Sequence, residues 1–325
     1  MASKTIYPVG INIVANLDYG AKPGGLRALY EKAKDSQWNA KTVVDWSGDL
    51  DFENPLGLPL TSFPMATSDW FKDLDANARR DIVRHYQGWL VSQFLHGEQF
   101  GVLSASRIAI EAPDHDSKFF ATTQALDEAR HLETYLMLGD KVGHHYGLSA
   151  PFGKFLGEVI SSRHIDMVYL GLQIIGEGIG LASFSQLRRH STDARIKSIY
   201  AHIMEDEARH VAFGRLFLRP IYTAMSASER KVREEFLIES CELMNERFCA
   251  IEVWEKFGLG RKDALPLLKK SPSFRIYKRS LFKQIVPVVK DIGLWSDAIQ
   301  RFFASLGVAD LTSNIDHDTE EALYL

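Results

Sequence analysis

Two short stretches of the sequence carry the same residue types in the same order. Asp127-Glu128-Ala129-Arg130-His131 returns 79 positions later as Asp206-Glu207-Ala208-Arg209-His210, and 30 residues upstream of each Glu stands a Gly-Glu pair, Gly97-Glu98 and Gly176-Glu177. The same offset relates Gly101 to Gly180. Five identities in a row have a chance of roughly 10⁻⁶ to 10⁻⁷ per register, and the matched Gly-Glu pairs lower it further, so the repeat is not an accident of composition.

Residues i and i+3 share one helix face, so Glu128 with His131, and Glu207 with His210, each present an oxygen and a nitrogen to one point. Each pair is half of a metal site. Glu98 and Glu177, from two partner helices, complete four carboxylates and two imidazoles around two divalent ions. Hard oxygen with imidazole suits iron or manganese better than copper or a structural zinc. A single Glu-x-x-His is usually a solvated helix face, but two copies with matched partners reverse that expectation. Cys241 and Cys249 are the only cysteines and fall on one predicted helix. Eight residues at a rise of about 1.5 Å put them roughly 12 Å apart, too far for a disulfide.

A metal-bound imidazole normally donates its other N–H to a carboxylate, and an Asp one residue off the ligand face can reach a His on the neighbouring helix. The spacing therefore pairs Asp127 with His210 and Asp206 with His131, and makes Arg130 and Arg209 the cations that accompany those buried acids. Glycine inside a helix costs about 1 kcal/mol relative to Ala. Gly97, Gly101, Gly176 and Gly180 thus predict close helix approach or a local bulge beside the ions. Phe94, Val102, Ile174, Leu181 and Ile203 lie a turn from the ligands and predict an apolar pocket, with Gln93, Gln124 and Gln173 as polar contacts to a substrate. Tyr135, one turn beyond His131, faces the same side, whereas its counterpart in the repeat is Gly214. His96, His115, His144, His145 and His202 fall outside the register and read as surface or loop residues.

The elements that must position these groups are helices. Residues 1–65, with five prolines and no sustained periodicity, predict an extended arm carrying a short helix near 26–33 and wrapping the bundle. Helical patterns over about 76–111, 116–138, 153–190 and 193–217 supply a four-helix core, punctuated at Pro113, Pro151 and Pro220. Ser226 and Glu229 form a capping box for a fifth long helix reaching about Lys256. One or two more follow within 272–306, with a kink at Pro287, and 307–325 is an acidic tail. No alternation with hairpin turns recurs, so the fold class is all-α, a single domain of 325 residues.

Composition narrows the partners. At 46% hydrophobic and 25% charged the chain is that of a globular protein, and 38 basic against 42 acidic residues leave a net charge of −4, no footprint for nucleic acid or an anionic membrane. The N-terminus lacks the apolar stretch of a secretory signal, and no run of about 18 apolar residues occurs. The expected location is cytoplasmic.

Over about residues 80–217, the two copies of Asp-Glu-x-Arg-His resemble the ferritin-like di-iron carboxylate superfamily in its oxygen-activating branch. They are most similar to the hydroxylase subunits of bacterial multicomponent monooxygenases and more distantly to ribonucleotide reductase small subunits. The resemblance implies a ferritin-like bundle and a non-haem di-iron oxygenase. It implies two iron ions, or a manganese–iron pair, with O2 as co-substrate, a small organic substrate, and an external electron donor such as a ferredoxin or reductase. A homodimer is one oligomeric option. The carry-over covers Glu98, Glu128, His131, Glu177, Glu207 and His210, with Asp127, Asp206, Arg130 and Arg209 beside them.

The sequence departs from these patterns in places. The chain is shorter than the hydroxylase subunits, the second Glu-to-Glu spacing of 30 is tighter than theirs, and Leu181 stands where they place a threonine. Tyr135 occupies the slot of the reductase radical tyrosine. Arylamine N-oxygenases add a His one turn before the last Glu; here that position is Ile203, with His202 out of register, so no close match to that family is expected. Three readings follow in order: an oxygenase that hydroxylates, desaturates or N-oxygenates its substrate; a radical-generating subunit, resting on Tyr135 and the acidic tail; and iron storage or a structural metal bundle.

Overall fold

The computed structural model describes residues 4–20 and 24–308, and every regular element among them is a helix. The arm carries α1 (Gly25–Asp35), the single turn α2 (Ala40–Val43) and, after a 3-10 turn, α3 (Asp69–Lys72). Two long helices follow, α4 (Ala76–Glu111) and α5 (His115–Val142), packed together along their lengths. Next come α6 (Ala150–Ser161), α7 (Ile165–Tyr169), a π-helical segment (Leu170–Gly176) and α8 (Glu177–His190), the last three forming one continuous rod. The fourth bundle helix is α9 (Ala194–Ala224), followed by α10 (Ala227–Arg247), α11 (Ile251–Lys256), α12 (Arg261–Lys270), α13 (Pro272–Asp291) and α14 (Asp297–Ser305).

Local chemistry sets these boundaries. Asp75, Asp114 and Asp193 each accept a backbone N–H of the first turn of α4, α5 and α9, and Ser226 with Glu229 makes the expected capping box on α10. α5 stops where Gly143 turns left-handed at φ 76°. The core of the bundle is aromatic: Phe120, Phe213 and Tyr169 are fully buried, and Tyr169 stacks on Phe217 at 3.8 Å. Each such side chain contributes about 2–3 kcal/mol by leaving water.

Several boundaries differ from expectation. The helix expected over 153–190 divides at 162–164, so α6 packs against α4 and α10 and the third bundle helix starts only at Ile165. Pro220 lies inside α9, about one turn from its end and at an exposed position, where the bond that proline cannot make costs least. The fifth helix breaks after Arg247: Ala250, the only non-glycine with positive φ among the described residues, redirects the chain into α11. Cys249 therefore sits in that turn, while Cys241 is within α10; both are free thiols. α12 was not foreseen, and the acidic stretch 316–321 lies outside the described residues. The rod over 165–190 is long and apolar enough to cross a membrane by composition, but 83% of its apolar window is buried against other helices. It is the core helix of the fold.

That rod is pinned from outside by a bidentate pair: Arg233 of α10 donates from Nε to Asp166 Oδ2 at 2.9 Å and from Nη2 to Oδ1 at 3.0 Å. Removing one partner leaves the other charge buried and alone, which costs about 3 kcal/mol or more. Arg233→Met is expected to lower the denaturant midpoint by that order, and adding Asp166→Ala to recover part of the loss in a double-mutant cycle. An additive double variant would show that the pair does not hold the rod.

Candidate metal centre

Each half of the sequence repeat delivers its side chains from a helix that faces the other half. α4 brings Glu98, α5 brings Glu128 and His131, α8 begins with Glu177, and α9 brings Glu207 and His210; all six are buried. Their donor atoms form two overlapping quartets, Glu98–Glu128–His131–Glu207 and Glu128–Glu177–Glu207–His210, within each of which all atoms lie within 4.8 Å of one another. Glu128 and Glu207 belong to both and would be shared if each quartet held an ion.

Both imidazoles turn Nδ1 inward. His131 Nδ1 lies 3.1 Å from Glu207 Oε1 and 3.4 Å from Glu98 Oε2; His210 Nδ1 lies 3.2 Å from Glu207 Oε2 and 3.3 Å from Glu128 Oε1. Outward, His131 Nε2 meets Asp206 Oδ2 at 3.0 Å and His210 Nε2 meets Asp127 Oδ2 at 3.4 Å. The pairing across helices is the one that the spacing called for. Arg130 Nη2 donates to Asp127 Oδ1 at 2.6 Å and to Asp206 Oδ2 at 2.9 Å, and Arg209 pairs with Asp206.

Two residues of the arm complete this layer and were missed in the sequence. Gln37 donates to Asp127 Oδ1 at 2.9 Å and accepts from Arg130 Nη1 at 2.7 Å; Trp38 Nε1 donates to Asp206 Oδ2 at 2.7 Å, its ring lying 4.7 Å beneath the Arg130 guanidinium. They follow the end of α1, outside any repeat. Only the demand of buried Asp oxygens for donors pointed to them.

Charge tests whether metal fits. Asp127 and Asp206 are matched by Arg130 and Arg209, which leaves four buried glutamates with no lysine or arginine partner among the described residues. Burial pushes Glu98 up to about 8, and burial with the charge of its neighbours raises Glu128 and Glu177 as well. Burial opposes the charged form of His210, but the Glu128 and Glu207 charges outweigh it and raise the imidazole to about 10. Positive charge is therefore favoured at the centre of the cluster. His131 Nδ1 and Glu207 Oε1 are also buried with no hydrogen-bond partner. Two divalent cations would answer both, giving four positive charges for four carboxylates and partners for the orphaned atoms.

The glycines act as expected at two places. A Cβ on Gly101 would stand 2.5 Å from Glu128 Oε2, so only glycine lets that carboxylate cross to α4, and Gly176 closes the π segment just before Glu177. Gln124 and Gln173, expected to touch a substrate, are instead bonded to each other, Gln173 Nε2 to Gln124 Oε1 at 2.7 Å. Gln124 Nε2 donates to Glu128 Oε1 at 2.9 Å and to Gln173 Oε1 at 3.1 Å. Both amides are thus already engaged within the protein. Of the expected pocket walls only Phe94 lines the cavity beside Glu98, Glu128 and Glu177; Ile174 and Ile203 are core, and Leu181 lines an outer groove. Tyr135 is fully buried among Phe94, Phe184 and Tyr200, its hydroxyl without a partner and its pKa raised by burial. It does not fill space left by Gly214, where a Cβ would meet Gln173 at 2.3 Å.

Residues 23–293 match the family model of p-aminobenzoate N-oxygenase AurF. The chain belongs to this family. No curated protein matches the sequence, but solved structures share the fold. R2-like ligand-binding oxidase with aerobically reconstituted Mn/Fe cofactor superposes with a TM-score of 0.53 at 18% identity, over 86% of this chain and 96% of that one. Two mutants of R2-like ligand-binding oxidase give 0.54, at 18% identity over 86% and 97%, and at 17% over 87% and 96%. The ferritin-like superfamily reading thus stands. The expectation of no close match to arylamine N-oxygenases is overturned by a family match across most of the chain. That expectation leaned on one position, Ile203, which is fully buried core here, while His202 packs 5.3 Å from Trp38.

Gly101→Ala should displace the Glu128 carboxylate and lower metal occupancy while helical circular dichroism stays at wild-type level. Metal analysis and chelator resistance equal to the parent would mean that α4 and α5 can separate without disturbing the cluster.

Proposed function

We propose that Glu98, Glu128, His131, Glu177, Glu207 and His210 hold two iron ions, or one manganese and one iron, and that the protein uses O2 to oxidise a small organic substrate, N-oxygenation of an amine being the reaction. The observation that carries this reading is the pair of buried quartets sharing Glu128 and Glu207 beside an apolar cavity. Membership of a family described by an N-oxygenase supplies the reaction class. The cofactor named for the R2-like oxidase structures makes manganese–iron as admissible as two irons.

When bound, the metal pair supplies the reductive activation of O2. The chain's own residues do the rest. Asp127 and Asp206 keep the imidazole protons on Nε2, so Nδ1 of both histidines offers its lone pair to the centre. Gln124 holds an oxygen of Glu128, and Phe94, Phe152, Leu156 and Phe184 exclude water from the cavity, protecting whatever forms there from side reactions. Electrons come from an external donor in the cytoplasm, a ferredoxin or a reductase.

Purified protein is expected to carry about two iron or mixed iron and manganese ions per chain, since four carboxylates and two imidazoles exceed the needs of one. Glu207→Ala should abolish O2 uptake by the reduced protein, and Asp127→Ala and Asp206→Ala should weaken metal retention by roughly tenfold to a hundredfold. A single zinc, indifferent to all three changes, would sink the assignment.

Tyr135 separates this from the radical-generating reading, because its buried phenol is the aromatic hydroxyl on the metal-facing side of α5. With an oxygenase, O2 added to reduced protein leaves no long-lived tyrosyl radical in electron paramagnetic resonance, and Tyr135→Phe still forms product. A stable radical lost in Tyr135→Phe would favour the alternative.

A further inference from the structure

The cavity beside the metal cluster is also lined by residues of α10. One of them, in its last turn, is Arg247, only 6% exposed. Its side chain makes no hydrogen bond or ion pair with any described residue, and its Nε is buried without a partner. Burial alone pulls its pKa down to about 10; Glu252 acts on it only at longer range. A guanidinium that has lost its water and gained no acid is rare in a folded core, because each unpaired buried charge costs several kcal/mol. Aromatic rings take part of the load. The Arg247 guanidinium lies 4.1 Å over Phe152, with Phe248 at 5.7 Å and Phe94 at 5.9 Å.

The position of Phe152 gives the scale. One face carries Arg247, while its Cζ lies 3.4 Å from where a Cβ on Gly97 would stand, next to the ligand Glu98. Phe152 thus borders both the cation and the stretch of α4 that carries Glu98. The other polar groups of the cavity wall are largely engaged: Gln93 donates to Gly147 O and accepts from Ser149 N, and Ser183 donates to Ile179 O.

We propose that Arg247 is an anion-recognition residue of the substrate cavity, pairing with a carboxylate on the substrate and so directing the substrate's opposite end to Glu98, Glu128 and Glu177. A single cation in an otherwise apolar chamber matches a monoanion; a phosphate dianion would leave charge uncompensated. A carboxylate also accepts two parallel N–H donors from the planar fork, which satisfies the orphaned Nε. The proposal rests on the oxygenase reading for the identity of the cavity as a substrate site.

The test is calorimetric titration of the metal-loaded protein with p-aminobenzoate and with uncharged p-aminobenzamide, probes of the same shape. Wild type should prefer the acid by at least about tenfold, as a charge-assisted bidentate contact in a dry site requires. Arg247→Met should bring the ratio to about one with amide affinity changed by less than about threefold, because only the acid uses the fork. No acid preference in wild type, including no binding of either probe, overturns the proposal, as does a preference that survives Arg247→Met. Should Arg247→Met lose its helical circular dichroism, Arg247→Lys carries the test, since an ammonium cannot reproduce the fork and a ratio equal to wild type then overturns the assignment. The two readings fail separately. Acid preference without O2 uptake by the reduced wild type removes the oxygenase reading and leaves the anion site; O2 uptake without acid preference does the reverse.

Discussion

Four carboxylates brought to one dry point repel each other, and most of the architecture answers that repulsion. Two negative charges 4 Å apart cost only about 1 kcal/mol in bulk water but several times that near a protein interior. The cluster therefore needs cations at its centre and order around it. Order comes from close packing: Gly101 leaves room on α4 for the Glu128 carboxylate of α5, and the 165–190 rod is anchored to α10 through Asp166 and Arg233. Charge outside the cluster is balanced by Arg130 and Arg209 on the two aspartates, so the imidazoles are gripped without adding net charge.

The two halves of the repeat are alike in sequence but not in surroundings. Asp206 receives Arg130, Arg209, Trp38 and His131, whereas Asp127 receives Arg130, Gln37 and His210. Burial opposes its ionisation, yet the bond from His131 and the two arginine charges hold Asp206 well below the usual carboxylate range. His131 has the shorter bond to its aspartate, 3.0 Å against 3.4 Å. The arm thus gives two nominally equivalent imidazoles unequal surroundings.

Legibility from sequence followed the range of the interaction. The six converging side chains and the cross-helix Asp–His pairs were readable because i, i+3 geometry and a repeat are local facts multiplied twice. Helix ends were readable where a side chain caps them, as at Asp75 and Ser226, and misread where tertiary environment decides, as at Pro220 and at the break before Ile165. Gln37, Trp38 and Arg247 were invisible because their meaning lies in what surrounds them: an unremarkable Gln-Trp pair, and one arginine among many on a charged helix. Gln124 and Gln173 were seen but misassigned, since spacing tells which face a side chain takes and not whether a neighbour has already occupied its amide.

The π-helical segment Leu170–Gly176 forms one wall of the cavity through Gly171, Leu172 and Gly176. The free space there is about 70 Å³, roughly half of the 150 Å³ in which an apolar protein cavity accommodates benzene. A six-membered aromatic ring does not fit the chamber as it stands. A stretch wound with i→i+5 bonds has poorer hydrogen-bond geometry than the α-helix on either side, and two glycines within it present no side chain to hold neighbours in place. The departure from α geometry is confined to seven of the twenty-six residues of the rod, and three of those seven line the chamber.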